Sequence, residues 1–187
     1  MALEEKEKLE HQYSPSKWVI RSIPDGQNPV QYFVNLGLEV KEQVVKQFKS
    51  ELNVFYGNGE KTKLDIYYPK ESSSQMKDVM IFLHGGYWQE GSKDCYGFLG
   101  AHLDDLDCIL VMVGYDLAPN ESMDGIVEQV KKAVIFTGKK FPFSRLFLSG
   151  HSAGAHLSAM MMTVNWESTE LAPSRFAGSL PAGSQSG

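Results

Sequence analysis

Cysteine, long apolar runs and net positive charge are all scarce in this sequence, and each scarcity removes a class of function. Cys95 and Cys108 are the two cysteines among 187 residues. That is too few for the disulfide framework of a small secreted domain, and both are expected as reduced, buried thiols. No apolar run approaches the ~20 residues that span a bilayer. The formal net charge is -5, which leaves no basic footprint for nucleic acid and no polybasic patch for a membrane surface. The opening MALEEKEKLEHQ is charged and lacks the apolar centre of a secretion signal, so a cytoplasmic location is expected. No internal repeat is present.

What remains is ordinary for a globular chain with a real core: 42% hydrophobic and 22% charged residues. Residues 1–29 read as irregular or loosely helical, interrupted by Pro15 and Pro24. Val30 to Leu52 is expected as a helix, weakened at Gly37. Asn53–Tyr56 and Lys63–Tyr68 read as antiparallel strands joined at Gly57-Asn58-Gly59. Glu71–Gln75 is a polar loop. Val79–Leu83 and Ile109–Val113 are continuous apolar runs, as expected for strands covered on both faces. A helix is expected over Ser92–Leu106, with His102 on its apolar side as a core histidine. Another is expected after the N-cap Ser122, with Met123, Ile126, Val127, Val130 and Val134 at helical spacing. Strand alternating with helix implies an α/β fold with a mostly parallel sheet and helices on both faces. Residues 1–166 read as one domain. Residues 167–187, ESTELAPSRFAGSLPAGSQSG, read as a disordered polar tail.

Two stretches carry chemistry. Leu146-Phe147-Leu148 is an apolar strand, Gly150-His151-Ser152-Ala153-Gly154 a glycine-flanked turn, and the following Ala, Leu and Met residues form helix. Strand, G-x-S-x-G turn and helix together define a nucleophile elbow, which presents Ser152 above the sheet beside the N-terminal N–H groups of the helix. Directly after Leu83 comes His84-Gly85-Gly86-Tyr87-Trp88. Glycines at a strand end let backbone N–H groups approach a carbonyl oxygen closely. The oxyanion donors are expected from Gly85, Gly86 and Tyr87 and from Ala153, the residue after the nucleophile. Each motif alone also fits a tight structural turn. Their occurrence in this order, each after an apolar strand, argues for a hydrolase.

The HGG run resembles the oxyanion loop of α/β-hydrolases of the lipase and esterase branch. The wider wording resembles kynurenine formamidase (arylformamidase): HGGYW at 84–88 with Gln89-Glu90-Gly91-Ser92-Lys93, Gly114-Tyr115-Asp116-Leu117-Ala118-Pro119, Gly150 to Leu157, and the early Gln12-Tyr13-Ser14-Pro15-Ser16. The resemblance runs from about residue 8 to Trp166. It implies an N-terminal part of an α/β-hydrolase fold, incomplete at its C-terminal end as in a truncated or alternatively spliced product. It implies hydrolysis of N-formyl-L-kynurenine to kynurenine and formate in tryptophan breakdown. No metal or other cofactor is implied, and the location is cytosol and nucleus. Ser152 is then the catalytic nucleophile, Tyr87 and Trp88 shape an aromatic substrate pocket, and His84 and His151 support their loops. The partner is a small molecule, with no nucleic acid and no membrane; a homodimer is compatible with the sequence.

The chain departs from that pattern after Ser152. A hydrolase of this kind uses Ser, then Asp or Glu, then His, in chain order. No aspartate follows Ser152, and the later histidine is His156, one helical turn on. Asp116 and His102 are unconvincing substitutes. Two alternatives therefore stand beside the formamidase reading: a non-catalytic binding or regulatory protein, and a generic carboxylesterase.

Overall fold

The computed structural model describes residues 3–20, 22–70 and 77–177; the polar loop expected at 71–75 lies outside them. Five strands form one sheet in the order β1-β2-β4-β3-β5, with β1 Ser50–Phe55, β2 Lys63–Tyr67, β3 Val79–Leu83, β4 Ile109–Val113 and β5 Leu146–Gly150. β3 pairs in parallel with both β4 and β5, whereas β2 is antiparallel to β1 and to β4. Only β2 therefore runs against the rest.

Side chains alternate across each strand, so the buried runs feed two cores. On one face Ile81, Leu83, Val111 and Val113 pack with Ile126, Val130, Leu157 and Met161, which lie on helices α4 (Met123–Lys140) and α5 (Ala153–Met161). On the other, Phe82, Leu110 and Met112 pack with Val44, Tyr96 and Leu103. Val44 lies on α2, Pro29–Gln47, and Leu103 on α3, Leu103–Leu106. The Ser122 hydroxyl accepts from the Gly125 N–H at 3.0 Å, the expected cap of α4. Gly37 is a close-approach position: a Cβ there would overlap the Cys95 carbonyl.

The opening segment begins with an eleven-residue helix α1, Leu3–Tyr13. Three stretches differ from the sequence reading. Ser50 to Leu52, expected as the end of a helix, begin β1 instead. Lys93–His102 is 3-10 helical in two pieces broken at Tyr96 (φ -109°, ψ 23°), rather than one α-helix. At three residues per turn, Gly97, Gly100 and Leu103 form the buried row, and His102 falls outside it, exposed, facing Asp105 at 3.6 Å. It is not a core histidine. The third difference is at residues 167–177, expected to begin a disordered tail. Here Leu171 and Phe176 are buried with Trp166 in the α4–α5 core. Phe176 forms a parallel bridge to Leu146, and the Ala177 N–H donates to the Leu146 carbonyl at 3.0 Å. The Arg175 guanidinium donates to the carbonyls of Ser144 (2.8 Å) and Phe141 (2.5 Å). A few well-placed apolar anchors and backbone acceptors order a segment whose average composition is polar.

Among the described residues, no helix is long and apolar enough to cross a membrane. Leu171→Ala and Phe176→Ala are expected to destabilise the protein by about 2–5 kcal/mol each. Urea unfolding measures this; no change in either variant would mean the segment does not belong to the core.

Candidate active site

β3 and β5 are neighbours, so their C-terminal loops lie side by side. The His151 N–H donates to the Leu83 carbonyl at 3.1 Å, continuing the ladder past the end of the sheet. The elbow glycines are required by this closeness. A Cβ on Gly154 would overlap the Leu83 carbonyl, and one on Gly150 would overlap the backbone of Gly154 itself. A Cβ on Gly85 would sit 2.8 Å from His151 Nδ1 and 3.0 Å from the Tyr96 hydroxyl.

Ser152 sits at φ 51°, ψ -116°, a region L-residues avoid at a cost of about 1–3 kcal/mol. It precedes α5 as N-cap, yet its side chain makes no capping hydrogen bond. Ser152 is exposed, and no described side chain bonds its hydroxyl. The hydroxyl is thus held outward at the positive end of a helix. Ala153, the first residue of that helix, is buried.

In the HGG loop the Gly85 N–H donates to the Tyr96 hydroxyl at 3.1 Å, and that oxygen is 2.9 Å from His151 Nδ1. Gly85 was expected to offer an oxyanion donor; its N–H is committed to this bridge instead. Among the described residues the N–H groups of Gly86, Tyr87 and Ala153 make no hydrogen bond. Gly86 (φ 128°), Tyr87 (φ 53°) and Trp88 (φ 59°) all take positive φ, folding the loop so tightly that a Cβ on Gly86 would overlap the Glu90 carbonyl. Free N–H groups at two adjacent strand ends, next to an uncommitted hydroxyl, can stabilise negative charge on a carbonyl oxygen under attack.

The aromatic residues are placed differently from one another. Tyr87 is 74% exposed. Trp88 is half-buried, edge-on to Tyr87 at 6.4 Å and to His156 at 5.2 Å, and its indole N–H is buried without a partner among the described residues. His156 is exposed and packs on Trp88. Asp116 is structural: it accepts from the Lys61 N–H at 2.8 Å and from Gln129 Nε2 at 3.0 Å. Tyr96 carries no motif, and sequence reasoning missed its place between the two loops.

The BD-FAE family model matches residues 64–179. The chain belongs to the BD-FAE family. The match spans β2 to the segment beyond Phe176, and so includes both loops. This BD-FAE chain is 40% identical over 169 residues to a kynurenine formamidase of Salmo salar, covering 90% of this chain and 56% of that one. It is 38% identical to a kynurenine formamidase of Danio rerio, covering 90% and 57%. The chain thus spans a little over half the length of these curated relatives. An isoprenylcysteine alpha-carbonyl methylesterase of Arabidopsis thaliana is 29% identical over 57% of the chain. Among solved structures, a Silicibacter protein provisionally designated a thioesterase superposes with a TM-score of 0.72 at 24% identity, covering 90% of this chain and 60% of its own. Esterase B of Lactobacillus rhamnosis gives 0.57 at 18%, covering 73% and 49%. These neighbours show the α/β-hydrolase fold.

His84, at the start of the loop, is buried beneath it, and its ring stacks on Tyr115 at 4.2 Å. Burial lowers its pKa from 6.5 to about 4. The unfolded chain therefore binds a proton below pH 6.5 that the folded chain refuses until about pH 4. Stability present above pH 6.5 should fall by about 3 kcal/mol across that window. Urea unfolding from pH 7 to 4, compared with His84→Gln, isolates this component; parallel curves for the two proteins would contradict it.

Proposed function

We propose that this chain carries the nucleophile and oxyanion half of a serine hydrolase of the kynurenine formamidase type. The observation that carries the reading is Ser152 at φ 51° with an uncommitted hydroxyl, set against the HGG loop. In this reading Ser152 Oγ attacks the formyl carbon of N-formyl-L-kynurenine. The carbonyl oxygen becomes an oxyanion held by the N–H groups of Ala153, Gly86 and Tyr87. The C–N bond breaks, kynurenine leaves as the amine, and water releases formate from the formyl-serine. Gly85 serves through its lack of a side chain. Tyr87 and Trp88 face the aromatic ring of the substrate. The setting is tryptophan breakdown, in cytosol and nucleus.

This chemistry also needs a base to take the serine proton and deliver it to the departing amine, and an acid to orient that base. No aspartate follows Ser152, and His156 packs on Trp88.

The test is N-formyl-L-kynurenine hydrolysis by two proteins. One is this chain; the other is this chain continued through the acid-and-base segment of a kynurenine formamidase. The continued protein should be active, and Ser152→Ala should lower its kcat on the order of 10⁴-fold or more. The 187-residue chain should be slower by orders of magnitude, with little effect of the same substitution. A folded but inactive continued protein would overturn the formamidase reading.

A further inference from the structure

Gly85 has no side chain to restrict its φ and ψ, so its two peptide planes must be held from outside. Both are. Its N–H donates to the Tyr96 hydroxyl at 3.1 Å, and its carbonyl oxygen lies 2.8 Å from His84 Nδ1. A carbonyl accepts, so Nδ1 donates. The His84 ring is itself stacked on Tyr115, whose hydroxyl donates to the His84 carbonyl at 2.6 Å. The Gly85 carbonyl and the Gly86 N–H belong to one planar trans peptide and point to opposite sides of it. Holding Gly85 at both ends therefore aims the Gly86 N–H away from His84.

The proton on Tyr96 can be placed from its neighbours. Tyr96 is 6% exposed, and burial raises its pKa, so the hydroxyl keeps its proton at neutral pH. Among the described residues it has two hydrogen-bond partners, the Gly85 N–H and His151 Nδ1 at 2.9 Å. An amide N–H donates. The hydroxyl proton therefore goes to the acceptor that is left, Nδ1, and His151 carries its own proton on Nε2. One hydroxyl thus accepts from the HGG loop and donates to the residue before Ser152.

The ring that carries this hydroxyl is fixed. It packs against Phe33 at 5.3 Å and Phe82 at 5.2 Å. The next residue is pressed on α2, where a Cβ on Gly97 would overlap the Gly37 carbonyl.

We propose that Tyr96 is a positioning residue of the oxyanion hole. Through Gly85 its hydroxyl sets the aim of the Gly86 N–H, and through His151 it sets the place of that donor relative to Ser152. The catalytic part of this inference rests on the hydrolase reading above; the placement of the protons does not.

The 187-residue chain labelled with ¹⁵N-histidine is observed by NMR at about pH 8, where an ordinary imidazole is neutral, with His151→Asn used for assignment. His151 should show a protonated Nε2 and a bare Nδ1 that accepts a hydrogen bond. Tyr96→Phe keeps the ring and removes the hydroxyl, and both His151 tautomers should then be populated. In the continued protein the same substitution should lower kcat for N-formyl-L-kynurenine about tenfold, less than loss of a donor altogether, with KM within about twofold. A proton on His151 Nδ1 would overturn the proposal, and so would an unchanged kcat in Tyr96→Phe. A continued protein that is inactive with Tyr96 in place would count against the formamidase reading instead. The His151 tautomer, read on the 187-residue chain, decides the bridge in either case.

Discussion

The Leu83 carbonyl accepts the His151 N–H at 3.1 Å, and Gly154 lies so close to the same carbonyl that no side chain fits there. This contact joins the end of β3 to the turn after β5. From it follow the glycines on both sides, the sharp reversal at Ser152, and the bridge from Gly85 through the Tyr96 hydroxyl to His151. A β-carbon at Gly154 or Gly85 would push the loops apart, and the hydroxyl would lose its relation to the free N–H groups. The site is thus a consequence of strand pairing: parallel β3 and β5 deliver their C-terminal loops to one edge.

The rest of the molecule holds that edge still. On one face a buried lattice of charges ties three elements together. Lys41 on α2 and Lys93 in the 3-10 segment both meet Asp65 on β2 and Asp94. Buried pairs of this kind add little net stability against desolvation, but losing one partner is costly. Their effect here is to fix the segment that carries Tyr96. On the other face α4 and α5 cover β3 and β5, and the segment from Trp166 to Phe176 closes the outer side of β5.

Much of this was legible in the sequence wherever one signal dominated. Val79–Leu83 and Ile109–Val113 are uninterrupted apolar runs, and both strands have those bounds. Ser122 followed by apolar residues at helical spacing gave α4 its start. The elbow was legible because its glycines answer to a single steric demand. Legibility failed where the deciding interaction is long-range. His102 lies outside the buried row because its helix is 3-10, a difference of pitch that apolar spacing does not resolve. Leu171 and Phe176 look isolated among serines and alanines until Trp166 and Leu146 are seen beside them. The N–H of Gly85 is taken by a tyrosine eleven residues away, a partner no motif announces.

The elbow turns on strain at Ser152. For an L-residue φ 51°, ψ -116° is unfavourable; for glycine it is the mirror image of an ordinary extended conformation. The direct measurement is the unfolding free energy of Ser152→Gly against Ser152→Ala. Both variants lack the hydroxyl, so the comparison isolates the backbone. If the elbow is held as described, the glycine variant is the more stable by about 1 kcal/mol or more. If Ser152 occupied an ordinary turn conformation, the greater backbone entropy of unfolded glycine would make that variant the less stable by about 0.5–1 kcal/mol, and the interlocked elbow would be contradicted.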